Sequence, residues 1–369
     1  MARNRMGKLV GAVVGAGVAA AGITAAVVTE RRLVSRMRSR RAPEQEPPLP
    51  PFGSLRGRTV PVVADDGTPL HAEVDDLPDD AQRLGAAPPT VVFCHGYALS
   101  SDCWHYQRLA LRGRVRMVFW DQRAHGRSRR GAPANTSIEQ LGRDLHQVLR
   151  ATVPDDGPVL LVGHSMGGMT VLSLAADHPE LFGTQIVGAA LVSTSGKLAE
   201  VTLGLPAFLG RTVGLSVTPL MRAAGWQSAI VDRGRKASGD LSYLATRFLG
   251  FGDAEVSTDV IEQLEEMIQR TPTDVVAEFL PALTSHDKLA AVGVFSGVPT
   301  LVICGDSDRM TPIRHSERIA EALPEAEFVR IASAGHLAIM ERPTVVNAAI
   351  TRLLHRVTGG RLSELPATA

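Results

Sequence analysis

The stretch LLVGHSMGG, residues 160–168, decides the fold of this chain. It places a G-x-S-x-G motif between an apolar run typical of a buried strand and the start of a helix. Glycine at positions 163 and 167 suits a sharp strand-to-helix turn, because a side chain there would collide with the neighbouring strand or helix. The hydroxyl of Ser165 then lies above a sheet, beside the free N–H groups of a helix N-terminus. The sequence therefore predicts a nucleophile elbow at Ser165.

Short apolar runs alternate with helical patterns on both sides of this turn. The runs lack polar alternation, as expected for strands that are covered on both faces. A hairpin is expected before them, because two β-like runs flank the turn residues 65–67. This pattern predicts a doubly wound, mostly parallel α/β sheet with an antiparallel hairpin at one edge. The predicted strands are Thr59–Val63, Leu70–Val74, Thr90–Cys94, Arg116–Trp120, Val159–Val162, Ile186–Val192, Thr300–Cys304 and Phe328–Ile331.

One long interval interrupts this alternation. No β-like run occurs between Ser195 and Val298, whereas apolar residues recur at helical spacing over residues 260–268. The interval is too long for a simple crossover, so we expect an inserted helical cap, with a separate domain as the alternative. The expected division is an N-terminal segment 1–41, a Pro-rich linker 42–55, a core of 56–196 and 297–358, a helical cap 197–296 and a tail 359–369.

The N-terminal segment contains an uncharged apolar run over residues 9–28, followed by an arginine-rich stretch over residues 31–41. A helix of this length would just span the hydrocarbon core of a bilayer. Basic residues directly after an apolar run favour retention on the cytoplasmic side. We therefore expect a single-span membrane anchor with the catalytic domain in the cytoplasm. The alternatives are a cleaved signal sequence with export, or a soluble segment.

The composition excludes several classes of partner. A net charge of +1 gives no electrostatic field that would gather nucleic acid, and an aromatic fraction of 4% disfavours a base-stacking surface. Three cysteines do not form a disulfide framework and lack zinc-site spacing. Cys94 and Cys304 fall inside predicted strands, so we expect buried, unreactive thiols.

A serine hydroxyl becomes a nucleophile only when a base takes its proton and a third group orients that base. His336 is the only histidine placed directly after the last predicted strand, and we expect it to be the base. Asp306 and Asp308 both follow the preceding strand, and position alone does not choose between them.

These motifs, in the order Ser, Asp, His, resemble the α/β-hydrolase fold family over residues 59–357. The resemblance implies that Asp308, as the last residue of G-x-x-D with a proline beyond it, is the acid, and that Asp306 is a turn residue. It also implies an oxyanion hole formed by the backbone N–H groups of Tyr97, in the loop after a strand, and Met166.

The segment Asp121–Ser128 resembles the family's D-x-R-G-x-G-x-S loop, with Ala124 where glycine is usual. We interpret His95 and His164 as structural residues that brace their loops. The arginines of this region are interpreted as a solvated basic loop rather than an anion site. These arginines are Arg123, Arg127, Arg129 and Arg130.

The resemblance implies a serine hydrolase, esterase- or lipase-like, that cleaves carboxylic esters through an acyl-enzyme. Apolar residues in the expected cap and the expected membrane anchor favour an apolar or lipid-derived acyl substrate. No metal or organic cofactor is implied. The alternatives are a perhydrolase (non-haem haloperoxidase-like), a thioesterase or a peptidase using the same residues, or a catalytically silent ligand-binding module. The residues expected in part on the substrate wall are Phe208, Leu209, Leu220, Met221, Phe279 and Met310.

Overall fold

A computed structural model describes residues 49–77, 88–154, 157–198 and 239–359. Within these residues the chain forms one eight-stranded sheet in the order β1-β2-β4-β3-β5-β6-β7-β8. Strands β3 to β8 pair in parallel, and β2 joins β1 and β4 in antiparallel pairs. The strands are β1 Arg58–Val63, β2 Pro69–Asp75, β3 Thr90–Cys94, β4 Met117–Trp120, β5 Val159–His164, β6 Ile186–Val192, β7 Thr300–Gly305 and β8 Glu327–Ile331. The predicted fold class, a mostly parallel α/β sheet, is confirmed.

Helices cover both faces of the sheet. The helices of the described residues are α1 His105–Leu111, α2 Ile138–Thr152, α3 Met166–Asp177, α4 Gly239–Gly250, α5 Thr258–Arg270, α6 Thr273–Thr284, α7 Arg314–Ala322, α8 Ala338–Glu341 and α9 Pro343–Thr358. One face of the sheet packs against α1, α8 and α9, and the opposite face packs against α2, α3 and α7.

The continuous apolar character of the central strands follows from this double cover. In β3, Val91 and Phe93 belong to the apolar cluster on one face, and Val92 and Cys94 belong to the cluster on the other. Successive side chains of a strand point to opposite faces, so a strand covered on both sides is apolar at every position. Burying each large side chain contributes about 1.5–3 kcal/mol.

The predicted hairpin lies at one edge of the sheet. β1 pairs with β2 from Arg58 opposite Val74 to Val63 opposite Pro69. The turn between them uses Gly67 at φ +83°, a conformation in the left-handed region that favours glycine. Helix α2 begins with a side-chain cap, since the hydroxyl of Ser137 accepts the N–H of Gln140 at 3.1 Å.

The predicted insertion is helical where the structure describes it. Residues 239–296 form α4, α5, α6 and a 3₁₀ segment, and no strand is found in this described part. An antiparallel bridge between Lys197 and Asp287 joins the start of the insertion to the segment that follows α6. The boundaries of the core and the cap stay predictions.

The prediction that a helix anchors the protein in a membrane is wrong. Among residues 49–77, 88–154, 157–198 and 239–359, no helix is long and apolar enough to cross a bilayer. The apolar run 9–28, from which the prediction came, lies outside the described residues. The expected cytoplasmic placement of the domain came from that run and is withdrawn with it.

Candidate active site

The turn from β5 into α3 has the geometry of a nucleophile elbow. Ser165 has φ +52° and ψ −119°, a strained conformation for a residue other than glycine. A Cβ atom on Gly163 would lie 2.6 Å from the carbonyl oxygen of Gly167, and one on Gly167 would overlap the carbonyl oxygen of Cys94. The two glycines therefore let the elbow approach both its own helix and strand β3.

The structure brings the three predicted side chains together at the carboxyl edge of the sheet. Nε2 of His336 lies 2.9 Å from Oγ of Ser165, and Nδ1 of the same ring lies 2.9 Å from Oδ2 of Asp308. Ser165, Asp308 and His336 are 8%, 5% and 3% exposed. Their mutual hydrogen bonds thus lie in a region of low dielectric, where electrostatic interactions are stronger than in water.

The two acid candidates have different environments. Oδ1 of Asp308 accepts the backbone N–H groups of Met310 at 2.9 Å and Thr311 at 2.8 Å, while Oδ2 faces the imidazole. Asp306 is exposed, and its carboxylate accepts the N–H of Ser333 at 2.8 Å. The geometry therefore directs Asp308, and not Asp306, toward His336.

Thr311 contacts both Asp308 and His336, and no sequence motif indicated this residue. Its hydroxyl lies 2.9 Å from Oδ2 of Asp308, 2.9 Å from the carbonyl oxygen of Ser193 and 3.2 Å from Nδ1 of His336. A single hydroxyl proton serves one acceptor at a time, so Thr311 donates either to Oδ2 of Asp308 or to the carbonyl oxygen of Ser193. Thr311 thereby links the acid, the imidazole and the end of β6.

The two predicted oxyanion donors lie at the ends of β3 and β5. Met166 is the first residue of α3, where a backbone N–H has no intrahelical acceptor. Tyr97 follows β3, and among the described residues no backbone acceptor is paired with the N–H of either Tyr97 or Met166. The hydroxyl of Tyr97 donates to the carbonyl oxygen of Val276 on α6, and burial raises the pKa of this phenol. The side chain is thus a neutral donor that fastens the loop to the insertion.

His95 and His164, which were interpreted as structural residues, are both buried, in the loop after β3 and at the end of β5. Nε2 of His95 accepts the N–H of Gln122 at 2.9 Å, so Nδ1 carries the proton toward the carbonyl oxygen of Gly96 at 2.7 Å. Nε2 of His164 donates to the carbonyl oxygen of His336 at 3.0 Å. Burial, followed by the neighbouring His336, lowers the pKa of His164 to about 3. Both rings are therefore neutral near pH 7.

The interpretation of the basic loop as solvated is wrong for Arg123. Its guanidinium is buried and bonds to Asp144 at 2.6 Å and to Asp66 at 2.8 Å. These carboxylates compensate the cost of burying the charge. The other three arginines of the loop are exposed. Ala124 takes φ +63°, so the alanine adopts the left-handed conformation at the position where the related loop has glycine.

The predicted behaviour of the two strand cysteines is confirmed. Cys94 and Cys304 are fully buried, and burial raises the pKa of each thiol to about 12. Neither thiol is therefore ionised near neutral pH. Within the part of the chain that the structure describes, no three His, Cys, Asp or Glu side chains form a group that could hold a metal ion.

An apolar cluster lies beside the elbow, between the core and α6 of the insertion. Phe279, expected as a possible wall residue, belongs to it, whereas Met310 is half-buried next to Asp308. Phe208, Leu209, Leu220 and Met221 lie outside the described residues. The members of the cluster are Ile138, Leu141, Met166, Met169, Leu198, Val275, Phe279 and Leu283, with Tyr97, Ala124 and Ala282 packed against them.

The known proteins to which this chain is similar include esterases and enol-lactonases. The chain is 26% identical over 271 residues to 3-oxoadipate enol-lactonase 2 of Acinetobacter baylyi, which covers 73% of this chain and 89% of the relative. The fold superposes on a thermophilic esterase from Thermogutta terrifontis with a TM-score of 0.61 at 23% identity, over 82% of this chain and 99% of that one. It superposes on the enol-lactonase from Burkholderia xenovorans LB400 with a TM-score of 0.62 at 22% identity, over 80% and 99% of the two chains.

The sequence model of the alpha/beta hydrolase family matches residues 91–349. This match extends from the first parallel strand, β3, into the last helix, α9, and includes the elbow and the loops after β7 and β8. The chain therefore belongs to the alpha/beta hydrolase family of enzymes, as the sequence motifs implied.

Proposed function

We propose that this chain is a serine hydrolase that cleaves carboxylic esters through an acyl-enzyme on Ser165. The observation that carries the proposal is the single imidazole of His336, which lies 2.9 Å from the Ser165 hydroxyl and 2.9 Å from the Asp308 carboxylate. A hydroxyl, a base and an orienting acid in this order are the parts that nucleophilic acyl transfer requires.

In the first half of the reaction, Nε2 of His336 accepts the proton of Ser165 while Oγ attacks the carbonyl carbon of the ester. The carboxylate of Asp308 accepts a hydrogen bond from Nδ1–H of His336. This bond keeps the proton on Nδ1, so that Nε2 is free to act as the base, and it stabilises the imidazolium that forms. The negative charge that develops on the carbonyl oxygen is received by the N–H groups of Tyr97 and Met166. The tetrahedral intermediate then collapses, and His336 returns the proton to the leaving alcohol.

The second half repeats these steps with water as the nucleophile. Nε2 of His336 takes a proton from water as the water oxygen attacks the acyl carbon. The tetrahedral intermediate then collapses while His336 returns this proton to Oγ of Ser165, which leaves as a neutral hydroxyl. The carboxylic acid product departs, and the enzyme returns to its starting state. The same backbone donors serve both tetrahedral intermediates, since both place an oxyanion at one position.

An apolar acyl group is the substrate feature that the surroundings favour. The cluster of side chains beside the elbow, which includes Met166, Met169 and Phe279, contains no charged residue. Apolar walls with few polar groups are typical of pockets for small apolar ligands. The similar proteins include an esterase and two enol-lactonases, and both names refer to ester bonds.

The insertion is proposed to cover the site as a cap over residues 197–296, with the core formed by 56–196 and 297–358. Two contacts support this arrangement. The hydroxyl of Tyr97 donates to Val276 on α6, and the hydroxyl of Thr271 donates to the carbonyl oxygen of Ala98 at 3.2 Å. Both contacts fasten the insertion to the loop that carries a predicted oxyanion donor.

The experiment that tests this function is active-site labelling. A fluorescent organophosphonate should label the purified protein, and Ser165→Ala should abolish labelling. Ser195→Ala is the matched control, because Ser195 Oγ also lies 2.9 Å from a histidine nitrogen, Nδ1 of His315, yet donates its own proton to the carbonyl oxygen of Lys197. We expect this second Ser–His pair to be unreactive and the control to label as the wild type does.

A protein that never labels would contradict the proposal and would favour a ligand-binding module. A series of p-nitrophenyl esters of increasing chain length then tests the substrate class. Rates that rise with chain length support an apolar acyl pocket, and rates confined to acetate refute it.

A further inference from the structure

Glu341 is a buried carboxylate at the end of α8, shortly after His336. Its Oε2 accepts the N–H of Gly335 at 2.6 Å. Its Oε1 accepts the N–H groups of Gly252 at 3.0 Å and Asp253 at 2.6 Å. One carboxylate therefore binds two separate segments, the loop that carries His336 and the connection between α4 and α5 in the insertion.

The same two segments also meet backbone to backbone. A Cβ atom on Gly335 would lie 2.6 Å from the nitrogen of Gly252, and one on Gly252 would lie 2.7 Å from the carbonyl carbon of Ala334. The N–H of Leu337 donates to the carbonyl oxygen of Gly250 at 2.9 Å. Because closely packed interiors transmit strain, we expect a displacement of residues 250–253 to reach the histidine loop.

The three amides need an acceptor with two oxygens. An ionised carboxylate is an acceptor at both of its oxygens, whereas a primary amide presents one oxygen and one NH₂ group. A glutamine at position 341 would therefore turn a donor toward either Gly335 or the pair Gly252 and Asp253. Bonds to a charged acceptor are also about twice as strong as those between neutral groups.

We propose that Glu341 is a positioning residue that couples the insertion to the imidazole of His336. This inference rests on the proposed hydrolase function. Glu341 does not touch the reacting atoms; it acts through the amide of Gly335, which directly precedes His336 in the chain. A misplacement of a reacting group by about 1 Å can cost about 100-fold in rate, so a small shift of this loop has a large effect.

The test compares Glu341→Gln, Glu341→Asp and a control, Glu73→Gln. Glu73 is also a buried carboxylate that accepts a glycine amide, the N–H of Gly57 at 3.1 Å, but it lies on β2, next to the edge strand β1, beside Arg108. The measured quantities are the rate constant for phosphonate labelling of Ser165, and kcat and KM for a p-nitrophenyl ester. All are measured at a temperature at which circular dichroism shows each variant to be folded.

We expect Glu341→Gln to lower the labelling rate constant and kcat by about 10- to 100-fold, with KM changed by less than about threefold. Glu341→Asp, which keeps both acceptor oxygens, should recover part of the loss. Glu73→Gln should lower the melting temperature, because it weakens the buried contact with Arg108. It should leave the labelling rate constant within about twofold of wild type, because this rate is measured at a temperature at which the variant is folded.

Two kinetic results would overturn the coupling. One is a Glu341→Gln protein that labels at the wild-type rate, and the other is a Glu341→Asp protein no faster than Glu341→Gln. A failure of the proposed function is distinguishable from both, since it would appear as an unlabelled wild-type protein.

Hydrogen exchange on the wild-type protein tests the coupling without any substitution. We expect phosphonylation of Ser165 to restrain the imidazole of His336, and exchange to slow in peptides covering 332–338 and 249–256 together. Slower exchange that is confined to residues 332–338 would overturn the proposal. This test remains valid even if the Glu341→Gln variant does not fold, because it uses the wild-type protein.

Discussion

Replacement of His164 by glutamine should make the protein more resistant to acid. The ring is fully buried behind Ser165, and burial together with His336 lowers its pKa to about 3. In the unfolded chain a histidine has a pKa of about 6.5. Below pH 6.5 the unfolded state therefore binds a proton that the folded state does not, and the free energy of unfolding falls as the pH falls from about 6.5 to 3.

The size of the effect follows from these two values. At pH 5 the unfolded histidine is almost fully protonated and the folded one is almost fully neutral, which destabilises the fold by about 2 kcal/mol. Glutamine does not titrate, and its amide nitrogen can still donate to the carbonyl oxygen of His336. Between pH 7.5 and pH 5 the variant should therefore lose about 2 kcal/mol less than the wild type.

Urea denaturation at the two pH values, followed by tryptophan fluorescence, measures this difference. His355→Gln is the control for replacing a histidine by glutamine, because this ring is only half-buried near the end of α9. An equal loss of stability in His164→Gln and wild type between pH 7.5 and pH 5 would refute the reasoning.

Three further predictions have defined outcomes. Asp308→Asn should lower kcat by about 10⁴-fold through the wrong imidazole tautomer, while Asp306→Asn should retain kcat within a few-fold; steady-state kinetics on a p-nitrophenyl ester compares the two. Gly167→Ala places a Cβ atom against the carbonyl oxygen of Cys94 and should cost about 1–3 kcal/mol in urea denaturation and most of the phosphonate labelling. Arg123→Ala leaves the buried Asp144 without its partner and should cost about 3–5 kcal/mol in the same denaturation assay.

The features that the sequence predicted are those that depend on neighbouring residues. The apolar run of β5 and the glycines at 163 and 167 lie within one short stretch, so the elbow could be located from the sequence alone. The central strands were predictable for the same reason, because a strand covered on both faces is apolar at each position. The hairpin at the sheet edge follows from the turn residues between its two strands.

The features that the sequence did not predict depend on partners far along the chain. Arg123 is buried because it meets Asp66 and Asp144, and neither carboxylate is identifiable as its partner from spacing alone. The choice between the two acids by residue position stayed open for the same reason. Only in three dimensions does the exposed Asp306 bond to Ser333 while Asp308 faces the ring of His336.

The position of the three side chains on the sheet has a consequence for refolding. Ser165 follows β5, Asp308 follows β7 and His336 follows β8, and β6 lies between the first two strands. These loops meet only after the four strands have assembled, which requires contacts between residues more than a hundred positions apart. Recovery of phosphonate reactivity after dilution from denaturant is therefore a late event, and it times the completion of this half of the sheet rather than the initial collapse of the chain.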